Sequence, residues 1–272
     1  PTIHGENFVL RVLDAKRGIV EYRKLGLTED QYYLLDLMLA RPEGIILVTG
    51  PTGSGKTTTL YSVLSHMNDE SVNIMTLEDP VEYPITRIRQ TSISDGSKID
   101  FSDGVRSLMR QDPDIILVGE VRDKDTAEMA FRAAMTGHQV FSTLHTNSAL
   151  RSFQRIKDLG VSPEVMAGNI IGIVAQRLVR RVCVHCREEV QVTEGSIEAR
   201  LIGAHAVGRT VYRAHHGGCE ACGFQGYKGR LAIMELLRMD SMLDELITRN
   251  ATLGELTAHA MAHGFAPMAE DG

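Results

Sequence analysis

The segment Gly50-Pro-Thr-Gly-Ser-Gly-Lys-Thr57 has the form G-x-x-x-x-G-K-[ST] and stands between an apolar run, GIILVTG, and a helical one, TTTLYSVL. That is the strand–loop–helix context in which such a motif holds a nucleotide. Gly50, Gly53 and Gly55 let successive backbone N–H groups turn inward around phosphate oxygens, with Thr52, Ser54 and Thr58 completing the loop and the first helical turn. The helix N-terminus adds partial positive charge. Lys56 is predicted to reach the β- and γ-phosphates of ATP, and the Thr57 hydroxyl to bind Mg²⁺.

A second apolar run, Ile115-Ile-Leu-Val118, ends in Gly119-Glu120. Gly119 stands where many P-loop enzymes carry a metal-binding aspartate and cannot ligate an ion. Glu120 is therefore the candidate to orient and polarise an attacking water. Thr76-Leu-Glu-Asp-Pro-Val-Glu-Tyr83 places Glu78, Asp79 and Glu82 at the end of another strand. Those carboxylates can order Mg²⁺-bound water or equally cap loops. His138 and His145 flank a further strand, and His145, at its carboxyl end, can hydrogen-bond a γ-phosphate or serve structure alone. The four cysteines form Cys183-x-x-Cys186 and Cys219-x-x-Cys222, with 32 residues between the pairs. Paired knuckles supply four thiolates to a tetrahedral, closed structural Zn²⁺ site. Two disulfides or a redox pair are the alternative.

Positioning these groups requires strands and helices in alternation. Apolar runs at Ile45–Val48, Ile74–Leu77, Ile115–Val118 and Val140–Leu144 alternate with helical patterns at Thr57–His66, Phe101–Arg110, Thr126–Met135 and Leu150–Leu159. Buried strands separated by helices predict an α/β fold with a parallel-type central sheet, a RecA-like P-loop core. A capping box at Thr28–Gln31 predicts an entry helix running through Leu39. Helical patterns are also read at Pro163–Ala167 and Ile170–Val179. After Leu231–Leu237 come two short ones, Met242–Ile247 and Leu253–Met261. The expected division is 1–24, a remnant of an upstream domain (β-rich Phe8–Leu13) and linker; 25–180, the core; 181–226, a tetracysteine zinc module; and 227–272, a C-terminal strand and helices.

The chain has 272 residues, 43% hydrophobic and 24% charged, and no apolar run near the roughly 18 residues that cross a bilayer. It starts at Pro1 without a leader and reads as a fragment of something longer. Its formal charge of −6 opposes a life spent on a phosphate backbone.

Together the motifs GPTGSGKTT, TLEDPVEY, IILVGEVRD and TGHQVFSTLHTN, in that order, resemble the secretion ATPases of type II secretion and type IV pilus assembly. The resemblance extends over nearly the whole chain, including IHGENFVLRVLD and Arg106-Ser-Leu-Met-Arg110. It implies that Glu120 is the catalytic glutamate, Glu78 to Glu82 an acidic box and His145 a phosphate sensor. It also implies hexameric rings with nucleotide near subunit interfaces. Arg11, Arg106, Arg110, Arg122 and Arg155 match arginines that reach phosphates across domains or subunits, a duty suited to a permanently charged planar fork. Each can equally be a salt-bridged surface residue. The implied setting is the cytoplasmic face of a bacterial inner membrane, with an inner-membrane platform protein and the cytoplasmic domain of a membrane recruiter as partners. A reducing cytosol favours zinc over disulfides, and the cysteine module favours assembly over retraction.

The leading expectation is thus a ring-forming, Mg²⁺-dependent ATP hydrolase that drives addition of pilin-like subunits. A RecA-like nucleic-acid motor is the rival enzyme; the acidic balance, the lack of Trp and the absence of basic segments interleaved with aromatics weigh against it, and no nucleic acid is expected. A zinc-stapled nucleotide switch with little turnover is the non-enzymatic alternative. Arg177, Arg180, Arg181 and Arg187 read either as a solvated helix end or as a face for an acidic partner or anionic lipid.

Overall fold

The computed structural model describes residues 5–6, 19–93 and 100–271. The predicted strand Phe8–Leu13, with Arg11, lies outside them.

Seven strands form one sheet: β1 (Gly44–Thr49), β2 (Ile74–Glu78), β3 (Arg89–Ser92), β4 (Ile115–Val118), β5 (Gln139–Leu144), β6 (Ile170–Val182) and, with β7 and β8 assigned below, β9 (Tyr227–Arg238). Their order is β3-β2-β4-β5-β1-β6-β9, parallel except for the antiparallel β6–β9 pair. Residues of a strand point alternately to opposite faces. Ile45, Leu47, Ile116, Val118, Val140 and Leu144 accordingly join one core, and Ile46, Val48, Ile115, Leu117 and Phe141 join the other. Both faces being covered, the inner strands β1, β2, β4 and β5 are buried along their whole length rather than alternating. Complete burial of one such Leu or Ile contributes about 1.5–3 kcal/mol.

On the first face pack α3 (Phe101–Leu108), α4 (Lys124–Met135), α5 (Arg151–Asp158) and, from the end of the chain, α8 (Ser241–Thr248) and α9 (Leu253–Ala262), with α6 (Pro163–Met166) between. On the second face lie α1 (Glu29–Leu39) and α2 (Lys56–Met67). The capping box at the start of α1 is formed: the Gln31 N–H donates to Thr28 Oγ1 at 3.3 Å and the Thr28 N–H to Gln31 Oε1 at 2.9 Å. Asp100, Asp123 and Asp240 likewise cap α3, α4 and α8.

The segment Ile170–Val179, expected as a helix, is the first part of the long strand β6. Residues 170–176 are all buried, so the run is apolar on both faces, and a doubly buried strand satisfies a helical spacing by accident. Its β-branched Ile and Val decide for the strand. Arg177, Arg180 and Arg181 are therefore strand residues, and the explanation of their charge by a helix C-terminus falls. Beyond the sheet body β6 and β9 continue as a two-stranded ribbon to the pair Val182↔Tyr227, beside Cys183. The interval between the cysteine pairs holds β7 (Glu188–Gln191), α7 (Ile197–Ile202) and β8 (Thr210–Arg213), with β7 and β8 antiparallel. The remaining short helix, α10 (Met268–Asp271), meets β9 through Asp271, whose carboxylate accepts from the Met234 N–H at 2.7 Å.

Glu235, 5% exposed on β9, ties two distant backbones together. It accepts from the Ala149 N–H at 2.6 Å and the Met268 N–H at 2.9 Å. Glu235→Leu leaves both donors buried without an acceptor and is expected to lower unfolding free energy in urea by about 1–3 kcal/mol per orphaned group. An unchanged midpoint would show that the two N–H groups find other partners.

Candidate functional site

At the carboxyl ends of the parallel strands, a cleft of about 270 Å³ is lined by Thr52, Lys56 and Thr57 from the loop and α2, by Glu78 to Glu82 after β2, by Glu120 and Arg122 after β4, and by His145 after β5. Crevices at this end of an open α/β sheet are where ligands bind in such folds. The loop has the shape its glycines permit. Gly50 has φ +151, and a Cβ there would overlap the Gln176 carbonyl oxygen on β6. Lys56 Nζ donates to the Gly50 carbonyl at 2.9 Å and the Pro51 carbonyl at 3.3 Å. Burial pushes its amine below the ordinary value, while the charge of Glu120 pulls the other way. On α2, Lys56, Thr57, Leu60 and Tyr61 face the cleft with the i, i+3, i+4 spacing of one helical surface.

Glu120 is 13% exposed, with Oε2 3.5 Å from His145 Nε2, and its other oxygen ion-pairs with Arg122. Arg122 also comes within 3.8 Å of Asp79. Gly119 has a physical reason: a Cβ would press on the Leu77 carbonyl at 3.1 Å and Glu78 Cα at 3.2 Å, so a side chain there would push the backbone of β2 aside by a few tenths of an ångström. Glu78, 5% exposed, turns inward. It accepts from the Tyr61 hydroxyl, from Thr76 Oγ1 at 2.5 Å and from Gln90 Nε2 at 3.3 Å. Burial, then the Glu78 hydrogen bond, raises the Tyr61 hydroxyl far above its ordinary range.

The structure thus gathers Lys56, Thr57, Glu120, Arg122 and His145 into one cleft and leaves other candidates outside it. His138 hydrogen-bonds the Ala133 carbonyl at the end of α4. Arg106 pairs with Asp103 at 2.8 Å on the exposed side of α3, Arg110 is exposed in the turn after it, and Arg155 is exposed on α5. Tyr61 and Gln176 were not singled out from the sequence. The legible signals were a polar-tipped ring one turn beyond Thr57 and a lone amide in the apolar run IIGIVAQRLV.

The donors facing the cleft, a hydroxyl and several carboxylates, are the hard oxygen ligands that suit Mg²⁺. The cysteines form a second candidate centre. Their four sulfurs lie within 4.8 Å of one another, with Cys183–Cys219 and Cys186–Cys222 at 3.9 Å and Cys219–Cys222 at 3.8 Å. A tetrahedron of sulfurs about 2.3 Å from a central zinc has edges of about 3.8 Å, so the set fits the ion. All four are free thiols. Backbone N–H groups of Cys219 and Gly226 point at the Cys222 sulfur, at 3.1 and 3.2 Å, and help pull its thiol down to about 6. Burial and the adjoining sulfurs push the Cys186 thiol up to about 12. Such N–H···S contacts orient and stabilise thiolate ligands.

Residues 1–272 match the family model described as type II/IV secretion system protein. Type II secretion system protein E of Pseudomonas aeruginosa is 44% identical over 265 residues, 97% of this chain and 52% of that protein. Type IV pilus assembly ATPase TfpB of Acinetobacter baylyi is 42% identical over 268 residues, 98% of this chain and 46% of the relative. The chain spans about half the length of the curated relatives it matches. The crystal structure of the pilus retraction motor PilT with bound ADP superposes with a TM-score of 0.63 at 30% identity, over 93% of this chain and 66% of that one. The ATPase DotB of Legionella pneumophila shares the fold, with a TM-score of 0.66 at 23% identity over 92% of this chain and 59% of its own. Among the described residues no helix is long and apolar enough to cross a membrane. With its full length matched and this sheet order around the Gly50–Thr57 loop, the chain belongs to the type II/IV secretion system protein family.

Proposed function

We propose that this chain is the ATP-hydrolysing part of a ring-forming motor subunit that powers assembly of pilin-like subunits in a type II secretion or type IV pilus system. The observation that carries the reading is the convergence of Lys56, Thr57, Glu120 and His145 on one cleft at the end of the sheet. Lys56 leaves the loop carbonyls to meet the β- and γ-phosphates, and Thr57 ligates Mg²⁺. Mg²⁺ held there would supply positive charge against the charge that develops on the phosphate oxygens. Glu120 accepts a proton from the attacking water and His145 hydrogen-bonds the γ-phosphate. Asp79 and Glu82, both exposed, order water around the metal, while Glu78 acts as a positioning residue through Tyr61. Arg122 serves the cleft of its own subunit, and the exposed Arg106 and Arg110 reach the phosphates of a neighbour. The four cysteines hold a structural zinc. The ring is proposed to be a hexamer at the cytoplasmic face of the inner membrane, docked on a platform protein and the cytoplasmic domain of a membrane recruiter. The relatives' printed functions and the acidic charge of this chain favour this over a nucleic-acid motor.

Phosphate release from ATP, measured over a range of protein concentrations with and without Mg²⁺, tests the proposal. Turnover per subunit is expected to need Mg²⁺ and to rise with concentration as rings form. Metal-independent turnover would refute the chemistry, and turnover independent of concentration would refute the interface.

A further inference from the structure

We infer that Gln176 fixes the shape of the Gly50–Thr57 loop and thereby sets its affinity for nucleoside triphosphate, as a positioning residue that never touches the ligand. The inference rests on the reading of that loop as the nucleotide site.

Gln176 is 1% exposed, in the buried half of β6, yet it spans the loop. Its side-chain amide donates to the Ser54 carbonyl at 2.7 Å. Its own carbonyl oxygen lies where a Cβ on Gly50 would have to be, and its Nε2 is 3.1 Å from where one on Gly55 would stand. The residue therefore meets the loop at Gly50 through its backbone, and at Ser54 and Gly55 through its side-chain amide. A loop built of glycines has few side chains with which to hold itself and loses more backbone freedom on ordering than other sequences. Phosphates are bound there by N–H groups whose directions depend on the loop's shape, so an anchor already in place lowers the ordering cost of binding.

Two further observations separate this role from ordinary core packing. Among the described residues Gln176 Oε1 and Ser54 Oγ, both buried, have no hydrogen-bond partner, an expense that an aliphatic side chain at 176 would avoid. Its neighbours Ile173, Val174 and Ala175 are indeed aliphatic and buried. In addition, the Lys56 side chain holds the loop through the Gly50 and Pro51 carbonyls. When Lys56 turns to a phosphate it gives those up, and the bond from Gln176 to Ser54 remains.

The test compares wild type, Gln176→Met, Gln176→Asn and Lys56→Ala by ATP titration calorimetry, steady-state turnover and thermal unfolding. Methionine keeps the volume without the donor; asparagine keeps the amide but shortens its reach. Both are expected to weaken ATP binding by about tenfold or more, the loss of one buried hydrogen bond with an orphaned carbonyl. The turnover at saturating ATP should stay within about threefold of wild type, because the reacting groups lie on other elements. If either variant, folded, binds ATP as wild type does, or loses turnover at saturation while keeping its affinity, the inference is wrong. Should wild type and Lys56→Ala bind ATP equally poorly, the nucleotide reading itself fails and this inference with it.

Discussion

Glu120→Gln is expected to bind ATP as wild type does and to release phosphate about 10²–10⁴-fold more slowly, the usual range for removing a general base. The substitution keeps the shape of the side chain and its place at the end of β4, 3.5 Å from His145. What it removes is the carboxylate that can take a proton from water. It also weakens the ion pair with Arg122, so Arg122→Ala serves as the control. With that arginine 63% exposed, the pair is screened, and its loss alone should slow turnover much less. Single-turnover phosphate release under excess enzyme isolates the chemical step from nucleotide exchange. Should Glu120→Gln turn over at the wild-type rate, Glu120 is only the structural partner of Arg122 and His145, and the base must be sought among Asp79 and Glu82.

The second large effect concerns the cysteines. Protein purified under reducing conditions is expected to carry one zinc per chain, and Cys183→Ser or prolonged chelation to lose it. Cys183 is fully buried where β6 ends, and its N–H donates to the Gly226 carbonyl at 2.9 Å where β9 begins. The site therefore clamps the mouth of the interval holding β7, α7 and β8. That interval exposes Ile197, Leu201, Ile202 and Val207, buries Val192 and Ala206 within itself, and among the described residues contributes nothing to the two main cores. Small units of this kind lack the buried area to fold unaided. Structural zinc supplies about 10–16 kcal/mol of apparent binding free energy to small zinc-dependent folds. Without the ion, limited proteolysis is expected to cut between Arg187 and Arg213 while the α/β core survives. A metal-free, fully reduced protein that resists the protease as well as the zinc-bound one would sink the assignment.

The residues proposed to bind phosphate were legible because that chemistry demands a fixed spacing. Gly50, Gly55, Lys56 and Thr57 follow one another in a single turn of chain, so the motif carries its own geometry. Glu120 and His145 were legible for a related reason: both sit one or two residues past a short apolar strand, and a parallel sheet brings such ends to one side. Glu78 was less so, since a carboxylate after a strand can point to solvent or inward, and only Tyr61, Thr76 and Gln90 decide that it points inward. The strand β3 escaped notice because its residues, Arg-Gln-Thr-Ser, bury almost nothing and carry no apolar pattern, pairing with β2 through the backbone and the Gln90 side chain. The segment at 170–179 misled by being apolar on every side. Its pairing with β9 begins more than fifty residues later in the chain, information that no local window holds.

The strand order leaves β3 and β9 as the two margins of the sheet. An unpaired margin is a template on which a second chain can add itself, and long, flat, apolar ones seed aggregation. The two margins here are blunted differently. β3 is four residues long and polar. β9 is twelve, too long to be safe by brevity, but its outer stretch carries Lys228 and Arg230, and Arg230 stands directly opposite Arg180 on β6. Like charges facing each other across a ladder are destabilising on their own, and among the described residues Arg180, Arg181, Lys228 and Arg230 have no acidic side chain to relieve them. Stability is given up at that end of the ribbon, and the same positive charge disfavours the approach of a second strand along the sheet's longest margin.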